Sequence, residues 1–292
     1  MKRPILLTAL VVLLVATSCA GSGSDSKPTK KEAPERKGWN GVPLYGDVES
    51  IAITYYTLTE KFGELVKDEI YEKDVYKFNP KGDVAEAARY NSYDGSLSWK
   101  DIGKYDSQGN CIEADRYNSD GSLSRKDIFK YDSQGNCIEG ARYNSDGSLD
   151  RKYLYKYDSQ GNMIEQARYN IDGSLMEKFI YKYDSQGNKI EQAFYNSDGS
   201  LMEKYLYKYD SQGNRIEDAC YDSDGSLSSK NLIKYDSQGN RIEVACYNSN
   251  GSLDRKYLYK YDSQGNCIEY VEYEGEIMKP TRMTERTIVY RK

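Results

Sequence analysis

The sequence predicts an all-β protein: an elongated antiparallel β-meander of 26-residue, two-strand units, forming a single curved or twisted sheet with irregular caps at its ends. Three observations carry this expectation. The hexapeptide Tyr-Asp-Ser-Gln-Gly-Asn starts at Tyr105, Tyr131, Tyr157, Tyr183, Tyr209, Tyr235 and Tyr261, always 26 residues apart. Each unit holds a second glycine turn, as in Asn170-Ile171-Asp172-Gly173-Ser174. A glycine recurs every 12 or 14 residues, and no apolar stripe persists at the 3.6-residue helical period.

Residues 1–18 read as a lipoprotein signal peptide. Lys2 and Arg3 give a basic start, Ile5 to Val15 an apolar run too short to span a bilayer, and Ala16-Thr17-Ser18 lead into Cys19. The stretch resembles bacterial lipoprotein signals, with Ala16 where leucine is commonest, and the resemblance implies that Cys19 is lipidated and anchors the chain to a membrane. Residues 19–38 then form a flexible tether, small, polar and broken by Pro28 and Pro34. Residues 39–76 are expected to form an N-terminal capping hairpin about Phe62-Gly63, and residues 274–292 a C-terminal capping strand that shields the other sheet edge.

Residues 77–273 hold the repeats. Both turns place Asp or Asn three residues before Gly, which predicts a type I turn with a left-handed fourth residue. The segments between are of strand length and rich in Tyr, Ile, Leu and Phe. Strict alternation, with the turn bulge included, places Leu175, Phe179, Tyr181, Tyr183, Ala167 and Tyr169 on one face. It places Lys178, Lys182, Gln166, Arg168, Ile164 and Ile180 on the other. An open sheet of this kind would run on the order of 70–90 Å and curl.

The Tyr-Asp-x-x-Gly-Asn core, as at Tyr131 to Asn136, resembles the YD repeat of RHS-type proteins, and the hairpin-per-repeat plan is similar to MORN arrays. The layout of signal, Leu44 to Ile51 segment and YD-like hairpins resembles repeat lipoproteins of Bacteroidetes-type bacteria. That resemblance implies a cell-envelope protein, an outer-membrane lipoprotein facing the periplasm or the outside. RHS-type proteins also have a self-cleaving core segment and toxin-like C-terminus, which this chain lacks.

The chain has no histidine, which removes the commonest general base and metal ligand, and it has a net charge of −5, which argues against nucleic-acid binding. Glu113, Glu139, Glu165, Glu191, Glu217, Glu243 and Glu269 recur in every unit and read as a structural row rather than a catalytic pair. The turn at Asp222 to Ser226 lacks EF-hand spacing, so turn chemistry accounts for it, and neither cofactor nor metal is expected. Cys111, Cys137, Cys220, Cys246 and Cys267 fall at positions two strands apart, too far for disulfides, and are expected to be free thiols.

With 30 Tyr against 5 Phe and 2 Trp, the aromatic surface is half apolar and half polar. Tyr153, Tyr155, Tyr157, Tyr181, Tyr183, Tyr207 and Tyr209, interleaved with lysine, are the candidate binding surface. The expected function is non-enzymatic binding of an envelope glycan or protein partner. A purely structural spacer and, more remotely, a glycan-acting enzyme are the alternatives.

Overall fold

A computed structural model describes residues 36–39, 42–275 and 277–292. The signal peptide, Cys19 and most of the tether lie outside the described residues. Among these, two short strands, β1 (Arg36–Trp39) and β2 (Val42–Leu44), pair with each other. Then β3 (Val48–Lys61) and β4 (Glu64–Phe78) form a long hairpin. Sixteen shorter strands follow, from β5 (Val84–Tyr90) and β6 (Leu97–Tyr105) to β19 (Cys267–Glu274) and β20 (Lys279–Tyr290). The repeat strands run β7 (Cys111–Asn118), β8 (Leu123–Tyr131), β9 (Cys137–Asn144), β10 (Leu149–Tyr157), β11 (Met163–Asn170), β12 (Leu175–Tyr183) and β13 (Lys189–Asn196). They continue as β14 (Leu201–Tyr209), β15 (Arg215–Asp222), β16 (Leu227–Tyr235), β17 (Arg241–Asn248) and β18 (Leu253–Tyr261).

The meander is antiparallel throughout, but the sheet is not open. Strand β20 pairs with β3 from Arg282↔Thr57 to Tyr290↔Val48, so β3 to β20 close into an 18-stranded barrel. This corrects the expectation of a single curved sheet with capped edges: the two end segments pair with each other. The physical reason is twofold. Every strand is twisted, and nearly every pairing carries a β-bulge that adds twist and bend, so the sheet coils back on itself. Closure then satisfies the backbone donors and acceptors that two free edges would expose. For a round section, eighteen strands at ~4.8 Å spacing give a wall on the order of 30 Å across.

The hexapeptide explains itself residue by residue. In the turn Asp158 to Asn162, the Asp158 carboxylate accepts from the backbone N–H of Gln160 and of Asn162, both at 2.9 Å. Asn162 Nδ2 donates to the same carboxylate at 2.9 Å, and Gly161 sits at φ 83° as the turn type requires. The tyrosine is a staple between hairpins: Tyr157, Tyr183 and Tyr209 donate to the carbonyls of Cys137, Met163 and Lys189, at 2.9, 2.8 and 2.8 Å.

The expected assignment of faces needs correction. The glycine turns form as expected, but a second bulge follows each one. Tyr169 pairs with Leu175 while Arg168 pairs with Glu177, and Tyr183 pairs with Lys189 while Lys182 pairs with Glu191. Met176 and Ile190 are therefore extra residues that invert the alternation. Gln166 lies opposite Phe179 and shares the tyrosine face, whereas Ala167 lies opposite Lys178.

The barrel is locked at its seam. Leu44, Val48, Ile51, Ile53 and Phe78 form the buried apolar cluster, flanked by Tyr55, Tyr76, Val84, Ile288 and Tyr290. Asn266 is 1% exposed. Its side chain accepts from Tyr45 N–H at 2.8 Å and donates to Tyr45 C=O and Tyr290 Oη. Tyr290 Oη in turn donates to Asp262 Oδ2, and Arg291 ties the C-terminal end to Asp47. The last hexapeptide turn thus clamps the segments that lead into the first barrel strand and out of the last.

Ile51 is fully buried in this seam, and Ile190 is a 37% exposed bulge residue. Chemical denaturation of Ile51→Ala is expected to show a loss of about 2–5 kcal/mol, and of Ile190→Ala less than about 1 kcal/mol.

Candidate functional site

The two faces of the wall differ in charge pattern and in enclosure. One face carries a belt of ion pairs between neighbouring strands: Lys77–Glu86, Lys104–Glu113, Lys130–Glu139, Lys156–Glu165, Lys182–Glu191, Lys208–Glu217, Lys234–Glu243 and Lys260–Glu269. These lysines are more than half exposed, and this face is the outside of the barrel. The recurrent glutamate therefore has a structural partner in each unit. Lys126, Lys152 and Lys256 reach Glu113, Glu139 and Glu243 from the opposite side.

The other face is concave and more enclosed, with arginines such as Arg116 and Arg142 only 19% and 14% exposed. It is the lumen wall. From β4 to β9 it is an arginine–aspartate lattice. Arg89 grips Asp74 through Nε and Nη2 at 2.8 and 3.0 Å, and Arg116 grips Asp101 at 2.6 and 2.6 Å. Arg142 Nε donates to Asp127 at 2.7 Å. The Trp99 ring lies between two guanidinium groups, 5.4 Å from Arg89 and 4.1 Å from Arg116. Arg125 has its pKa lowered by burial and by its neighbours Arg142 and Arg116.

Of the tyrosines singled out in the sequence, four face the lumen. Tyr153 lies opposite Arg168 and Tyr155 opposite Gln166. The hydroxyls of Tyr181 and Tyr207 lie 3.3 Å from Gln166 and Gln192. Burial raises the pKa of Tyr155 and Tyr181, and pushes that of Tyr207 up to about 12. The other three, Tyr157, Tyr183 and Tyr209, are the rim staples described above, with their hydroxyls committed to backbone.

Charged lumen residues were invisible to strict alternation because the second bulge in each hairpin shifts them. One sequence signal was available: the residue after each hexapeptide reads Cys111, Cys137, Met163, Lys189, Arg215, Arg241 and Cys267, so three consecutive units replace a neutral side chain by a cation.

The sequence profile of a family described as a domain of unknown function (DUF5122) β-propeller matches residues 233–256. That segment belongs to β16–β18 of the barrel. No curated protein matches the sequence. Among solved structures, a porin-like protein from Bacteroides uniformis is 11% identical, with 83% of this chain and 96% of that chain covered at a TM-score of 0.43. A second porin-like protein, from Bacteroides vulgatus, is 11% identical over 82% of this chain and 97% of that one, at a TM-score of 0.28. The Photorhabdus luminescens Tc holotoxin pore is 12% identical over 80% of this chain and 19% of that one, at a TM-score of 0.21.

Two outcomes follow from these environments. The five described cysteines are free thiols, and burial raises the pKa of Cys111 to about 11 and of Cys137 to about 12. Mass spectrometry after iodoacetamide at pH 8 should find Cys111 and Cys137 unmodified in folded protein and alkylated after unfolding, with the less buried Cys246 reacting first. In the outer belt, hydrogen bonds from Lys104 and Lys126 hold the Glu113 pKa at about 2, and lysines depress Glu139 and Glu243 in the same way. A carboxyl depressed on folding stabilises above its unfolded pKa of about 4.3 and loses that contribution as pH falls through the folded value. Glu72, Asp218 and Glu272, raised by burial, act in the opposite sense but are outnumbered once the turn aspartates such as Asp106, Asp132, Asp158 and Asp184, lowered by hydrogen bonds from their own turns, are included. The Tm measured by circular dichroism should stay near its plateau down to about pH 5 and fall steadily from there toward about pH 2.

Proposed function

We propose that this protein is a non-enzymatic, lipid-anchored protein of the bacterial envelope that holds an oligosaccharide inside its barrel. The observation that carries this reading is the orientation of Tyr153, Tyr155, Tyr181 and Tyr207 toward the lumen, among arginine, glutamine and carboxylate side chains. Aromatic faces stack on the apolar faces of sugar rings, and planar guanidinium and amide groups satisfy the hydroxyls around them. For a round section, eighteen strands would leave on the order of 15 Å once side chains are subtracted, enough for a short saccharide chain.

Anchoring is proposed through lipid on Cys19, with the body in water. A membrane-spanning barrel needs an outward apolar band on the order of 25 Å tall. Here the outward row of β12 is Lys178, Ile180 and Lys182, and that of β11 is Glu165, Ala167 and Tyr169. Each outward charge at the middle of a bilayer would cost about 2–4 kcal/mol, and the ion-pair belt repeats around the wall. The YD-type repeat character forms part of the same proposal: its tyrosine is the rim staple that leaves the inward tyrosines free for ligand.

Calorimetric titration of the full chain in detergent with neutral and acidic oligosaccharides tests the reading. Tyr155→Ala is expected to weaken binding by at least threefold. Tyr183→Phe should leave affinity unchanged while lowering stability by about 0.5–1.5 kcal/mol through its lost hydrogen bond to Met163. Absence of saturable binding by any oligosaccharide would leave the spacer role as the better account. Release of the chain from membranes by Cys19→Ala, followed by ultracentrifugation, tests the anchor.

A further inference from the structure

At the hexapeptide rim of the lumen, β13, β15 and β17 each begin with a cation: Lys189, Arg215 and Arg241. The same position is Cys or Met in the four other full units, so the cations are not needed to build the turn. All three lie over tyrosine rings. Lys189 Nζ is 5.4 Å from the Tyr181 centroid and 5.2 Å from that of Tyr207, and Arg215 Cζ is 5.1 Å from Tyr207. Arg241 Cζ is 4.5 Å from the Tyr259 centroid.

Positive charge outweighs negative in this cluster. Lys189 donates to the neutral Gln192 at 3.0 Å and makes no ion pair with a described residue. Arg241 Nε is buried without a hydrogen-bond partner among the described residues. Among the described residues the carboxylate in contact is Asp218, whose Oδ1 lies 2.9 Å from Arg215 Nε, without hydrogen-bond alignment. Burial lowers the Lys189 pKa and Arg215 lowers it further, with Asp218 acting against them. The neighbouring Arg286 lies 5.9 Å from the Tyr270 centroid and donates to the Cys267 carbonyl at 3.3 Å.

We propose that Lys189, Arg215 and Arg241, with Tyr181, Tyr207 and Tyr259, form the subsite for the acidic group of an anionic oligosaccharide, a carboxylate or a sulfate ester. This deepens the glycan reading above and rests on it. Guanidinium and ammonium donors take up the acidic group, while the tyrosine faces stack on the ring that bears it. Three cations around one buried carboxylate leave a surplus that such a ligand neutralises.

The decisive variant replaces all three cations by the residue of a neighbouring unit, Lys189→Met, Arg215→Met and Arg241→Met, since Met163 occupies this position in an intact hairpin. Calorimetry with a tetragalacturonate, a sulfated disaccharide and a neutral maltotetraose is run on the full chain and on the triple variant, with circular dichroism confirming the β fold of both. The expected result is a loss of at least tenfold in affinity for whichever acidic saccharide the parent prefers, and a decline in parent affinity from 50 to 500 mM salt. The two acidic arms distinguish carboxylate from sulfate. Equal acidic binding by parent and variant, or parent binding of maltotetraose alone, overturns the subsite and leaves the glycan reading standing. Binding of none of the three overturns both. Arg125→Met, in the other sector of the lumen, is the control, and an equal loss there would also overturn the assignment.

Discussion

The pairing of β20 with β3 is the constraint on which the rest of the structure depends. Without it there is a long sheet with two unsatisfied edges and both faces open to solvent. With it there is an inside and an outside, and identical repeat chemistry acquires two meanings. The Lys–Glu pairs become a hydrated outer belt, and the tyrosines and arginines become the lining of an enclosed space. The seam concentrates apolar burial that the repeats themselves lack: Val48, Ile51 and Ile53 are almost fully buried, whereas most repeat tyrosines are half-buried. A short run of ordinary hydrophobic packing where the first and last barrel strands meet therefore holds a polar, tyrosine-rich wall in its closed form.

The repeats contribute stability by a different means. Each unit contributes a carboxylate-filled turn, a hydroxyl staple to the preceding hairpin and an outward ion pair. None is large alone, and exposed ion pairs in particular contribute little each. Their value lies in register. A staple reaching 20 residues back, as from Tyr183 to Met163, fixes how successive hairpins stack, so that side chains from different units meet in rows around the lumen. Lys189 and Arg215 can share the Tyr207 ring because that register is held.

Function in such a wall resides where the repeat is broken. The glutamate three residues after each hexapeptide never varies, and it serves the belt. The residue directly after the hexapeptide does vary, and its three cations gather at one stretch of the rim. Cys111 and Cys137 at that position are buried, small and satisfied, which is the environment the turn provides when no charge is introduced.

The sequence by itself determined the all-β meander, the 26-residue unit, the left-handed glycine turns and the spacing that keeps the cysteines apart, because these are local or periodic properties. It singled out Tyr153, Tyr155, Tyr157, Tyr181, Tyr183, Tyr207 and Tyr209 as one group and did not separate the four inward rings from the three rim staples. Alternation misplaced Gln166, Arg168 and Ala167, since a bulge at Met176 or Ile190 adds one residue, and nothing in their side chains announces it. The closed topology was illegible for a deeper reason. The repeats specify neighbour pairing alone, and whether the first and last strands meet depends on twist and bend summed over the eighteen strands of the wall. Only the tertiary structure decided that they meet, and with that which face encloses a lumen and which faces water.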